Sequence, residues 1–86
     1  MPRFYLHLSD GNGFIEDEEG IELPNEAAAQ ATALRCARDV MMGELRSGRL
    51  DLTSFIEVED EQRNLLFTLT FADAVRIKSH SRKKAG

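Results

Sequence analysis

The segment Asp10-Gly11-Asn12-Gly13-Phe14-Ile15-Glu16-Asp17-Glu18-Glu19 gathers the densest set of possible ligands in this 86-residue chain. With Gly13 at the sixth position of a calcium-binding loop, Asp10 falls at the third, Asn12 at the fifth, Ile15 at the eighth and Glu19 at the twelfth. The first ligand position is then Leu8, which has no side-chain oxygen, and the flanking residues alternate as strands do instead of forming the helices that carry such a loop. Glu16, Asp17, Glu18, Glu19 and Glu22 could also hold a hard cation or share a proton, because adjacent carboxylates hinder one another's ionisation. Successive side chains of an extended segment point to opposite sides, so at most two of these converge, and no histidine or asparagine completes a set. The expectation is a hairpin turn followed by a solvated acidic loop.

His7 shares a strand face with Tyr5, and a histidine among Tyr and Asp neighbours can transfer protons. On a half-covered sheet these are the outward residues, exposed or covered by a second subunit. His80 falls in a terminal segment without large apolar side chains. Cys36 lies well away from the apolar face of its helix, and Arg35 beside it in sequence does not share that face, so an inert thiol is expected. Gly11 and Gly13 make no phosphate loop, since the lysine and the following helix are missing. No catalytic, cofactor-binding or metal-ligating residue is assigned, and the chain is read as non-enzymatic.

The elements around these residues follow from periodicity. Phe4, Leu6 and Leu8 alternate with Tyr5 and His7 as a first strand, and Asp10-Gly11 and Asn12-Gly13 supply turn residues for a reversal. Phe14-Ile15 and Ile21-Glu22-Leu23 provide a returning strand interrupted by the acidic run. Asn25 is a good N-cap for an Ala-rich helix over about 25–47, with Ala27, Ala31, Leu34, Ala37, Met41 and Leu45 on its apolar face and Gly48 at its end. Arg38 sits near that face and must carry its guanidinium outward. Residues 55–59 and 65–70 alternate again around a polar turn, with Ile56 and Val58 toward the helix and Leu65, Phe67 and Leu69 on one face. Thr70-Phe71-Ala72-Asp73 resembles a capping box opening a short helical turn. The predicted fold is α+β, order β-β-α-β-β: an antiparallel sheet of two hairpins with one long helix across one face. Residues 1–77 form a single domain, and 78–86 a basic, flexible tail.

Apolar residues make up 42% and charged residues 30% of the chain, a globular balance that favours folding over disorder. The longest apolar runs are too short for a signal peptide or a membrane span, and a single cysteine suits a reducing compartment, so the expected location is the cytoplasm. Charge is divided unevenly: residues 1–77 hold all fifteen acids against seven bases, whereas Lys78, Arg82, Lys83 and Lys84 face no acid. Nucleic acid is an unfavourable partner for so acidic a body.

The opening Met1-Pro2-Arg3-Phe4-Tyr5-Leu6-His7-Leu8 leading to Asp10-Gly11, the block Asp17-Glu18-Glu19-Gly20-Ile21-Glu22-Leu23-Pro24 before an Ala-rich helix, and the late Phe71-Ala72-Asp73-Ala74 resemble a family of short proteins, frequent in alphaproteobacteria, known as a domain of unknown function. The resemblance spans roughly residues 1–77 and implies no catalytic residues. Such proteins usually place a glycine in the second turn, where this chain has Gln62-Arg63-Asn64. Two functional readings follow. One is a non-catalytic binding or self-assembly module, with a homodimer formed through an open sheet edge or a face lined by Tyr5, His7, Glu57, Leu66 and Thr68. The other, from a looser likeness of topology, is an antitoxin-like regulator whose acidic body binds a basic partner while the basic tail contacts DNA.

Overall fold

A computed structural model describes residues 1–11 and 13–78. Its helix, α1 (Glu26–Arg46), starts where Asn25 caps it, the Asn25 Oδ1 accepting from the Ala28 N–H at 2.8 Å. It stops at Ser47, beyond which Gly48 takes φ +80°; the Gly48 and Arg49 amides donate back to the carbonyls of Leu45 and Glu44. Both ends match the sequence expectation, and the buried face matches in part, with Ala37 and Met41 buried as expected and Leu34 packed against the core. Ala29, Ala33, Ala37 and Met41 are buried, while Ala27, Ala31 and Leu45 are exposed. The row through Ala27 and Ala31 leads at the same spacing to Arg35, whose guanidinium could not be buried unpaired; the row through Ala29 leads to Met41 and offers only apolar surface. Arg38 reaches outward as expected, its Nε donating to the Ala74 carbonyl at 2.9 Å.

The strands are β1 (Arg3–Asp10), β2 (Gly13–Ile15), β3 (Ile21–Glu22), β4 (Phe55–Glu59) and β5 (Leu65–Thr70). All pairings are antiparallel, in the order β2-β1-β4-β5, with β3 also on β1. The fold is thus α+β, with the expected returning strand divided in two: β2 pairs with Leu8–Asp10 and β3 with Arg3-Phe4, and the acidic run spans the gap between them. Leu6, Val58 and Phe67 lie abreast on the helix side, as do Leu8, Ile56 and Leu69. Together with Phe4, the small residues of α1, Phe71 and Ala74 they form the core, in which Phe71 and Val58 are the largest fully buried side chains.

A register shift next to Glu59 corrects the expected pattern of β5. Val58 pairs with Phe67 but Glu59 with Leu65, so Leu66 is an extra residue; it packs against the core, and Leu65 is the one left exposed. Phe71 donates its amide to the Ser54 carbonyl and opens a 3-10 turn (Ala72–Ala74), at whose start the Thr70 hydroxyl accepts from the Asp73 N–H. The turn between β4 and β5 needs no glycine. Arg63 itself takes φ 65°, while the Asp60 carboxylate accepts from the Gln62 and Asn64 amides.

Candidate functional site

His7 is only 3% exposed, so although it lies on the outward side of β1 it is not the open histidine expected. The acidic loop between β2 and β3 folds back over it. The Asp17 N–H donates to His7 Nδ1 at 3.0 Å, and His7 Nε2 lies 2.8 Å from Glu59 Oε1. An amide can only donate, so Nδ1 carries a lone pair, and in the neutral ring the proton sits on Nε2 and bonds Glu59. Both nitrogens are therefore engaged inside the fold, and Phe14 stands against the ring at 5.5 Å between centroids.

Asp17 completes this arrangement from the other side. Its Oδ2 accepts from the Leu6 N–H and its Oδ1 from the Gly20 N–H, both at 3.0 Å. Leu6 lies in the stretch of β1 between the segments paired with β3 and β2, and the Asp17 carboxylate takes the place of the missing strand carbonyl there. Gly20 makes the approach possible. At φ +71° a Cβ would meet the Phe4 carbonyl oxygen at 2.8 Å and the Tyr5 ring at 2.9 Å, so no other residue fits without displacing β1.

A second cluster borders the first. The Arg63 guanidinium lies 3.8 Å from the Tyr5 ring centroid, 3.7 Å from Glu59 and 3.8 Å from Glu16. Arg3 bonds the Glu19 carbonyl at 2.7 Å and Glu22 at 2.9 Å. The carboxylates that looked like ligands in the sequence are thus dispersed: Asp17 faces the backbone, Glu22 faces Arg3 and Glu16 faces Arg63, while Asp10 stands opposite Gly13 in the strand register of the first hairpin. Among the described residues no group of three or more His, Cys, Asp or Glu is placed to hold a metal ion.

Cys36 sits on an exposed part of α1, and partial burial of its thiol, aided by the Asp39 carboxylate, raises its pKa above the ordinary cysteine value despite the opposing Arg35 charge. Asp51, in the connector after α1, is held below the usual carboxylate range by hydrogen bonds from the Thr53 hydroxyl and amide. Asn12, His80 and residues Arg82, Lys83 and Lys84 of the basic tail lie outside the described residues.

Of the five residues expected on the open sheet face, Glu57 and Thr68 flank the His7 position across β4 and β5 and Tyr5 is half-exposed, but His7 and Leu66 are withdrawn from it. What stands open is an edge. No described strand pairs with the outer side of β5, whose sequence Leu65-Leu66-Phe67-Thr68-Leu69-Thr70 is uncharged. Sequence periodicity places the strand but does not show which strand ends the sheet.

A five-stranded antiparallel sheet backed by one Ala-faced helix, with an internally satisfied histidine latch and an open edge, defines a small α+β domain. The family model described as a domain of unknown function (DUF6894) matches residues 3–72, and the chain belongs to that family. No curated protein matches. No solved structure matches either. No described helix is long and apolar enough to cross a membrane.

Proposed function

We propose that the protein is a small non-catalytic binding or self-assembly module that accepts an extended strand at the outer edge of β5. The bare edge supports this reading. Its backbone donors and acceptors have no strand partner among the described residues, and its side chains include none of the lysines, prolines or inward charges that normally blunt such an edge. The buried histidine contributes to rigidity, since its two nitrogens and the Asp17 carboxylate are committed to holding the acidic loop on β1. The antitoxin-like alternative draws on the charge division and a looser likeness of topology.

Titration of the isotopically labelled protein with a neutral, alternating Thr/Val peptide, followed by amide chemical shifts, tests the reading. Shifts concentrated on Leu65–Thr70 are expected. An unchanged β5 at saturating peptide would remove the edge as a binding surface.

A further inference from the structure

The two sides of the sheet are treated differently. On the β1 side the strands are short, three residues in β2 and two in β3, and the Asp17 carboxylate occupies the gap between them. On the β5 side six residues run without charge or proline, and the irregularity is confined to the Leu65 end. A strand without charge can lie antiparallel beside a copy of itself without like charges meeting along it. We propose, resting on the strand-addition reading above, that the occupant of this edge is a second copy of the chain, with β5 pairing antiparallel to β5 of the partner about a twofold axis through Thr68.

Symmetry and the apolar rows select this register. A twofold axis normal to the sheet keeps both helices on the same face and sets each residue opposite the one equally distant from the centre on the other strand. Centred on Thr68, Phe67 meets the partner's Leu69 and Leu69 meets the partner's Phe67, so the helix-side apolar rows of the two sheets run on into one another. The same centre sets Thr68 against the partner's Thr68. A centre on Phe67 would instead set Leu69 against the partner's Leu65, which the register shift leaves exposed beside Glu59. The pairing is isologous and joins the two sheets through their β5 strands.

Sedimentation equilibrium across a concentration series tests the proposal, with Thr68→Lys as the variant. Thr68 is exposed, so the substitution leaves the core untouched, but it sets two ammonium groups against each other at the axis. The wild type is expected to form a dimer and Thr68→Lys to raise the dissociation constant by more than about tenfold with unchanged circular dichroism. A spin label at position 68, placed by Thr68→Cys in a Cys36→Ser background, should show strong label-to-label broadening in the dimer. A dimer indifferent to Thr68→Lys, or with distant labels, would overturn pairing through β5. A monomer at every concentration would overturn it as well, and the peptide titration then decides separately whether the edge binds some other strand.

Discussion

Replacing His7 by alanine takes the acceptor from the Asp17 amide and the donor from Glu59 at once. With each stranded group costing about 1–3 kcal/mol, a loss of about 2–4 kcal/mol is expected in urea denaturation. That is a large fraction of the stability of a domain this small, typically about 5–15 kcal/mol. The open ring position would also loosen the acidic loop, which amide exchange at Leu6 and Gly20 reports directly. Asp51 gives a pH-dependent counterpart. Its pKa is lowered in the folded protein, so its stabilising contribution is present above the unfolded carboxylate value and lost as pH falls through the folded one. Asp51→Asn should therefore be less stable than the wild type at neutral pH and converge with it in acid, as thermal unfolding across a pH series would show. For Cys36 the raised pKa predicts a midpoint for alkylation above that of an ordinary cysteine, shifted back downward in Asp39→Asn. Little of this residue chemistry is legible in the sequence. Alternation puts His7 on the outward side of β1, which is where it stands, but its cover comes from a loop ten residues on, whose course depends on a glycine with positive φ and on a carboxylate acting as backbone. The combination of Asp17 and Gly20 before a strand is the available signal, and the surrounding acids conceal it.

At the scale of the element, α1 shows which features a chain specifies locally. Its ends were readable because an N-capping Asn25 and a C-terminal Gly48 act through hydrogen bonds to their own neighbours. Its face was readable only in part, because two alanine rows compete and only the fate of their continuations, Arg35 in one and Met41 in the other, separates them. The alanines of the buried row, Ala29, Ala33 and Ala37, let the helix lie close to the sheet. Ala33→Leu should overpack that contact and cost about 1–3 kcal/mol, whereas Ala31→Leu, on the exposed row, should change denaturation midpoints very little. A reversed result would restore the face expected from periodicity. The extra residue in β5 was equally hidden. Leu65, Phe67 and Leu69 alternate perfectly in sequence, and only pairing with β4 shows that Leu66 takes the core position while Leu65 is exposed.

For the whole molecule, class and element order were legible from period and turn residues, while the neighbour relations of the strands depend on contacts between distant segments. The union of β1 with β4 joins the two hairpins and makes β5 a margin. The Asp17 carboxylate then has a meaning that reaches beyond one molecule. A subunit with a single adhesive margin has a valence of one and can only close into a pair; a subunit with two is bivalent and can grow into a ribbon of indefinite length. By capping the Leu6 amide in the gap between β2 and β3, Asp17 removes a site on the β1 side where another strand could pair. Asp17→Ala, combined with a free β5, should therefore convert closed pairs into growing assemblies, visible as concentration-dependent light scattering that Thr68→Lys suppresses. On the proposed pairing through β5, one carboxylate placed where a strand stops short would limit growth on that side of the sheet.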